Sequence, residues 1–159
     1  MLRLEKYNNN NFAEYYSLVK EDEVMKYITG KGMSVSEAKD KFQSIIKINK
    51  EESAFGYFRV LDTDSNILGE CKMVHYKRDS SLLEVGYLLK KIYWGKGLGT
   101  KICERMIALA FSVAPKSSIV GIIHPDNYGS KKILENFGFE SYFNGTEDNI
   151  PTEKLILRR

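Results

Sequence analysis

The stretch "YWGKGLGT", Tyr93–Thr100, places glycines at three alternate positions, Gly95, Gly97 and Gly99. The segment "LLEVGYLLKK" precedes it with the pattern of a β-strand, and "KICERMIALAFSVA" follows it with apolar residues at helical spacing. A glycine-rich loop between a strand and a helix is a frequent site for anions, because the first N–H groups of a helix have no intrahelical partner. Identifying the ligand of this loop would therefore indicate both the fold and the function of the protein.

Glycines in this pattern permit left-handed backbone angles and leave no side chains that would keep a ligand away. The amides of Lys96–Gly99 can then converge just ahead of a helix predicted to begin at Thr100. The loop therefore predicts a site for an anion of pyrophosphate size. The alternative is a tight turn without a ligand, which needs fewer than three glycines. The residues expected to contact the anion are Trp94, Gly95, Lys96, Gly97, Leu98, Gly99 and Thr100.

Two familiar phosphate-binding loops match this stretch poorly. A Walker A motif ends in Gly-Lys followed by Ser or Thr, whereas Lys96 lies between two glycines and no hydroxyl residue follows it directly. A dinucleotide fingerprint needs a third glycine where Thr100 stands, and the acid expected about 20 residues later is missing. A Rossmann-like enzyme stays as an alternative, and it predicts stabilisation by NAD rather than by coenzyme A.

Length and composition favour one compact domain over residues 1–159, with 43% hydrophobic residues to build its core. No apolar run approaches the roughly 20 residues that span a bilayer, and no signal peptide is visible, so we expect a cytoplasmic protein without membrane contact. The net charge of +3 comes from interspersed charges, so nucleic acid is not expected as a partner. Cys71 and Cys103 have no CxxC or histidine neighbour, which predicts buried reduced thiols and no metal site.

The order of predicted elements is strand, two helices, three strands in hairpins, helix, strand, helix and two strands. This order predicts a mixed α/β (α+β) fold with an antiparallel front half and a βαβ crossover behind it. The glycine loop lies at the start of that crossover, where ligands of such sheets usually bind.

The loop resembles the acyl-CoA loop of the GNAT N-acetyltransferases, whose pattern is Gln or Arg, two residues, Gly, one residue, then Gly or Ala. Gly97 and Gly99 fill the two small positions, whereas Trp94 stands at the Gln/Arg position and leaves only the backbone contacts. "EVMKYI", "LLEVGYLL" and "NYGSKKILENFGFE", in this order, resemble the subgroup with ribosomal-protein N-terminal acetyltransferases. The resemblance implies the GNAT fold, with a mostly antiparallel central sheet and flanking helices, and it is consistent with a homodimer.

The resemblance further implies that the loop amides hold the pyrophosphate of acetyl-CoA. The pantetheine arm would run between "LLEVGYLL" and "SSIVGII", where these strands splay apart. A backbone N–H near Leu88 or Leu89 would bind the thioester carbonyl oxygen. Asn127 would hydrogen-bond the pantetheine arm and Ser130 would lie near the thiol, although both residue types are also common helix caps.

A lysine-like amine has a pKa of about 10.4, so acetyl transfer at neutral pH needs a group that accepts its proton. Glu84 is the leading candidate, because it shares a strand face with Gly86 and Leu88, and Gly86 would leave room for substrate. The alternative is a Glu that merely pairs with a neighbouring Lys or Arg. Tyr128 is a further candidate proton donor, since Leu134 stands where many relatives carry a Tyr.

These residues predict an enzyme that transfers acetyl from acetyl-CoA to a primary amine by direct attack in a ternary complex. The acceptor would be a protein N-terminus, a polyamine, an amino acid or an aminoglycoside, selected by the front helices and the "KRDSS" and "NGTEDN" loops. No covalent intermediate is expected, because neither cysteine lies in the proposed cleft motifs. The alternative function is an acyl-CoA sensor without efficient catalysis, which would bind acetyl-CoA and release no thiol.

Overall fold

The structure, a computed structural model, describes residues 1–159 and contains seven β-strands and five α-helices. The strands are β1 (Arg3–Lys6), β2 (Gly56–Leu61), β3 (Ile67–Tyr76), β4 (Asp79–Leu89), β5 (Ile119–Ile123), β6 (Glu140–Glu147) and β7 (Ile150–Leu157). The helices are α1 (Phe12–Val19), α2 (Asp22–Met25), α3 (Val35–Glu51), α4 (Leu98–Val113) and α5 (Tyr128–Asn136).

All strands join one sheet in the order β1-β2-β3-β4-β5-β7-β6. Every neighbouring pair is antiparallel except β4 and β5, which run parallel and are connected by α4. This is the predicted mixed α/β class, with an antiparallel front half and one βαβ crossover. The front half contains one helix more than predicted, the four-residue α2.

Helices cover both faces of the sheet and enclose two hydrophobic cores. The core under α1, α2 and α3 includes Tyr15, Leu18, Met25, Phe42 and Ile45. The core under α4 and α5 is formed by a helix stripe at spacings of three and four residues, which explains why this segment is helical. Its members on α4 are Ile102, Cys103, Met106, Ile107 and Ala110.

The helix ends follow local capping chemistry. Ser34 is the N-cap of α3: its Oγ accepts a hydrogen bond from the Glu37 N–H at 3.1 Å, and Oε1 of Glu37 accepts one from the Ser34 N–H at 2.9 Å. Asn11 occupies the N-cap position of α1, but its Oδ1 accepts the Asn8 N–H at 2.8 Å rather than an N–H of the helix. Gly138, with a left-handed φ of 94°, follows the end of α5.

Two segments predicted as loops are mostly strand. In "KRDSS", β4 already begins at Asp79, and in "NGTEDN", β6 continues to Glu147. The second hairpin turns at Asp148 and Asn149, whose φ angles of 53° and 64° match a tight two-residue turn. No helix has the length and apolar character that crossing a membrane requires.

Candidate active site

The parallel strands β4 and β5 separate partway along their length. They pair at Leu83↔Ile119, Glu84↔Val120 and Val85↔Gly121, and no pairs follow. Beyond this point β4 stays paired with β3 through Leu89, and β5 stays paired with β7 through Ile123. The sheet therefore opens between its two middle strands, at the carboxyl ends where ligands of such sheets bind.

The glycine loop follows β4 directly and leads into α4. Gly95 and Gly97 have φ angles of 72° and 79°, so both are left-handed, and Gly97 is the N-cap of α4. None of the six consecutive N–H groups of residues 95–100 has a hydrogen-bond acceptor in the protein. Six free donors at a helix N-terminus form a strong anion site.

The loop differs from prediction at the start of the helix and at two side chains, those of Trp94 and Lys96. The helix begins at Leu98 rather than Thr100, so Gly99 is helical, and it serves close packing: a Cβ there would lie 2.8 Å from Oη of Tyr87. Trp94 is held to the end of β4, because its Nε1 donates to the Leu89 carbonyl at 2.9 Å. The side chain of Lys96 is exposed, and Lys96 lines neither of the two cavities described below.

Two cavities meet at the opening. The loop cavity, about 390 Å³, lies beside the glycine loop and the start of α5. The deep cavity, about 380 Å³, reaches through the opening to α1 and α3. The residues that line both are Tyr27, Ile28, Tyr87, Leu88, Asn127 and Ser130. Groups at this junction would contact the ends of two molecules that occupied the two cavities.

The backbone of β4 presents specific N–H groups to the opening. The Leu83 N–H donates towards β5, to the Ser118 carbonyl at 3.1 Å, and the Lys90 N–H donates towards β3. Because donation alternates along a strand, the N–H groups of Tyr87 and Leu89 point into the opening, whereas that of Leu88 points to β3. Of the two predicted carbonyl-binding amides, only Leu89 has this orientation, and Tyr87 is an additional one.

The start of α5 supplies polar groups to the junction. Oδ1 of Asn127 accepts the Ser130 N–H at 3.2 Å, so Asn127 caps the helix while also lining both cavities. Oγ of Ser130 lies 3.3 Å from Oη of Tyr87, and the two hydroxyls share a hydrogen bond. Burial raises the pKa of Tyr87, with Ser130 opposing, so the phenol is protonated at neutral pH.

The proton donor predicted at Tyr128 is not brought to the site. Tyr128 is the first residue of α5, is 72% exposed and lines neither cavity. Leu134 is buried against Gly121 and has no proton to donate. The hydroxyl of Tyr87 was not predicted as part of the site, because only the packing of α5 places it at the junction.

Glu84 lines the deep cavity, but it is paired. Its Oε2 lies 2.8 Å from Nζ of Lys72, which is the alternative that the sequence left open. Burial alone would lower the pKa of Lys72, but Tyr57 and Glu84 raise it. Lys72 also fills the space over Gly86, where a Cβ would lie 3.2 Å from its Cε. The glycine therefore makes room for Lys72, and it also lines the deep cavity, where room for substrate was predicted.

A second carboxylate of the deep cavity, Glu70, escaped the sequence analysis. It lies on β3 directly opposite Leu88 and is 7% exposed. Its Oε1 is buried without a hydrogen-bond partner. Burial raises its pKa to about 7, against opposing effects of Tyr7, Lys72 and Lys41. The signal was present, because Glu70 follows Gly69 in a strand of largely apolar residues, as Glu84 lies near a glycine.

Both cysteines are buried free thiols, as predicted. Cys103, although it lies outside the proposed cleft motifs of the sequence, lines the deep cavity. Burial raises its pKa to about 12, so the thiol stays neutral and is a poor nucleophile. No group of three or more His, Cys, Asp and Glu side chains is arranged to hold a metal ion.

Comparison with known proteins gives one family. The model of the acetyltransferase (GNAT) domain matches residues 1–140. The uncharacterized N-acetyltransferase p20 of Bacillus licheniformis is 26% identical over 129 residues, which are 80% of this chain and 71% of that protein. A GNAT-family acetyltransferase from Bacillus anthracis has the same fold, with a TM-score of 0.78 and 15% identity. The match covers 98% of this chain and 92% of that chain. Spermidine N-acetyltransferase from Vibrio cholerae, solved with CoA and spermine, has a TM-score of 0.79 and 16% identity. The match covers 98% of this chain and 94% of that chain.

Proposed function

This chain belongs to the GNAT acetyltransferase domain family, and we propose that it transfers the acetyl group of acetyl-CoA to a primary amine by direct attack in a ternary complex. The observation that carries the proposal is the row of six free N–H groups at residues 95–100, beside the opening between β4 and β5. A row of donors at the start of a helix suits the pyrophosphate of coenzyme A. The relative from Vibrio cholerae was solved with CoA, which supports the same cosubstrate here.

The loop cavity suits the pantetheine arm. It leads from the glycine loop to the opening, where the N–H groups of Tyr87 and Leu89 are available to an extended polar chain. Asn127 lies across from them at the start of α5. The thioester would then lie at the junction of the two cavities, within reach of an amine in the deep cavity.

The residues at the junction match what the reaction needs. A backbone N–H of Tyr87 or Leu89 would stabilise the oxyanion, an interaction whose loss typically costs about 100- to 1000-fold in rate. The thiolate is a good leaving group, with a pKa of about 8.5 in free thiols, so it needs little help. The hydrogen-bonded hydroxyls of Ser130 and Tyr87 can return a proton to it.

The deep cavity is proposed as the acceptor site. Two carboxylates, Glu84 and Glu70, line it and are the candidates to accept the proton of the amine. The proposed acceptors are a protein N-terminus, which would accord with the subgroup of ribosomal-protein N-terminal acetyltransferases, and a small amine. Aromatic and apolar side chains such as Tyr15, Tyr57 and Met33 form much of the wall, so the body of the acceptor would be partly apolar.

A thiol-release assay tests the proposal. The protein is incubated with acetyl-CoA and a panel of amines: peptides with free N-termini, arylalkyl monoamines, amino acids and spermidine. We expect release of free thiol that depends on one class of amine, together with a product 42 Da heavier by mass spectrometry, the mass that acetylation adds. Binding of acetyl-CoA without thiol release for any amine would instead indicate a sensor, and absence of binding would contradict the assignment of the loop.

A further inference from the structure

On the basis of the proposed acetyl transfer, we propose that Glu70 binds the ammonium group of the acceptor and takes its proton, and that the acceptor carries a single positive charge in this cavity. Glu84, which the alternation of side chains along β4 predicted as the proton acceptor, would instead hold Lys72 in place through their ion pair. The assignment follows from the position of Glu70, its lack of a cationic partner and its surroundings.

Position favours Glu70 over Glu84. Glu70 is directly opposite Leu88 in the β3–β4 register, and side chains of opposite residues are about 5 Å apart at Cβ. Leu88 lines both cavities at the junction. Glu84 is four residues earlier on β4, which is about 13 Å along the strand. A carboxylate beside Leu88 is therefore closer to an amine that attacks at the junction.

Glu70 is also the one acid of the deep cavity without a cationic partner. The other three are in ion pairs: Glu84 with Lys72, Glu147 with Lys154 and Arg78, and Asp148 with Arg78. A buried carboxylate without a partner is strongly unfavourable, and a bound ammonium would relieve it. One unpaired carboxylate matches one ammonium, whereas the second ammonium of a polyamine would find no free carboxylate.

The cations around Glu70 are engaged elsewhere. Arg59 is opposite Glu70 on β2, but its two terminal nitrogens pair with Glu14 at 2.9 Å and with Glu5 at 3.4 Å, and its Nε is buried without a hydrogen-bond partner. Nζ of Lys41 contacts the Tyr57 hydroxyl at 3.5 Å. The titratable and charged groups packed around Glu70 are Tyr7, Tyr15 from α1, Lys41 from α3, Tyr57 and Arg59 from β2, and Lys72 with its partner Glu84.

The proton balance of the reaction is simple. The Glu70 carboxylate takes one proton from the ammonium, and the neutral nitrogen attacks the thioester carbonyl carbon. A C–N bond forms, the C–S bond breaks, and the nitrogen loses a second proton, which returns to the thiolate through the hydroxyls of Ser130 and Tyr87 or through water. Glu70 then releases its proton to solvent. A carboxyl with a pKa of about 7 suits this role at neutral pH.

The test compares Glu70→Gln with Glu84→Gln. Both variants replace a carboxylate of the deep cavity by an amide, so Glu84→Gln is the matched control. In Glu70→Gln we expect kcat/KM to fall by at least about 100-fold, the usual contribution of a general base. The rise of kcat/KM through an ionisation near pH 7 should vanish in Glu70→Gln and persist in Glu84→Gln, while Glu70→Asp keeps the ionisation at reduced rate. Loss of the ionisation in Glu84→Gln and its persistence in Glu70→Gln would overturn the assignment.

A binding measurement separates this inference from the proposed function. Titration of the coenzyme A complex with an arylalkyl monoamine or an N-terminal peptide should give binding in the wild type and about 10-fold weaker binding or none in Glu70→Gln. Equal amine affinity in both proteins, or preference of the wild type for spermidine over the monoamines, would contradict the inference. Amine binding that needs Glu70 without any turnover would support the binding role of Glu70 and contradict both acetyl transfer and the role of Glu70 as the base.

Discussion

At the scale of single residues, the ionised carboxylate of Glu70 lowers the stability of the folded protein while it serves the proposed reaction. Burial raises its pKa from 4.5 to about 7 in the folded protein, so between these values the folded state binds more protons than the unfolded state. The free energy of unfolding therefore falls as pH rises through this window, by up to about 3 kcal/mol. Glu70→Gln removes the ionisation, so we expect the variant to be more stable than the wild type at pH 8, with a smaller difference at pH 5.

Urea unfolding at both pH values measures this difference. Glu84→Gln is the control, because it breaks the ion pair with Lys72 and should lower stability at both pH values. A Glu70→Gln variant that is less stable than the wild type at pH 8 would show that the carboxylate has a stabilising partner. If Glu70→Gln gains stability and loses activity, Glu70 is retained for its role in the reaction and not for its contribution to stability.

The two glutamates also show what a sequence can reveal about a site. Glu84 was found because alternation along one strand places it on a face with Gly86 and Leu88, and alternation is a local property. Its pairing with Lys72 depends on the register between β3 and β4, which one strand does not encode. Glu70 was missed for the same reason, because only that register places it beside Leu88.

At the scale of elements, the glycine loop makes a prediction of its own. In Gly97→Ala the added Cβ meets open space, but the left-handed φ of 79° costs about 1 kcal/mol for a residue with a side chain. Relaxation of this strain would turn the free N–H groups away from a common point. We expect affinity for coenzyme A to fall about 10-fold in isothermal titration calorimetry.

Gly30→Ala is a matched control for the loop. Gly30 has a φ of 84°, its Cβ would also meet open space, and it lines neither cavity. Both variants should lose similar stability, whereas only Gly97→Ala should weaken binding. Equal affinities in the two variants would show that the backbone of the loop does not hold the pyrophosphate.

Element order and the glycine loop were predictable because both rest on short-range patterns. The apolar stripe of α4, the cap at Ser34 and the stop at Gly138 are each encoded within a few residues. The predictions that differ involve tertiary packing: Gly99 is needed for contact with Tyr87, and Tyr128 is turned to solvent by the orientation of α5. Such contacts depend on elements distant in sequence.

At the scale of the whole molecule, the sheet consists of two halves with a weak connection. Strands β1–β4 and β5–β7 are joined by three residue pairs, although α4 and its core also link them. The sequence predicted both strands, and the family resemblance implied a splay near Leu88 or Leu89. The last residue pair lies earlier, at Val85↔Gly121, because separation is a property of the pair. An arm bound in the opening would bridge the halves through N–H groups that the sheet leaves free.

Hydrogen exchange tests this arrangement across the whole chain. We expect acetyl-CoA to slow exchange at residues 95–100, at Tyr87 and Leu89, and at the end of β5, because these N–H groups gain an acceptor or lose access to water. Strands β1 and β2, remote from the opening, should exchange at unchanged rates, and NAD should protect nothing. Protection of the loop without Tyr87 and Leu89 would mean that the pyrophosphate binds while the arm follows another path. Protection of the loop together with Tyr87 and Leu89 is the result expected for one extended ligand, because the two sets of N–H groups are separate and acetyl-CoA must reach both.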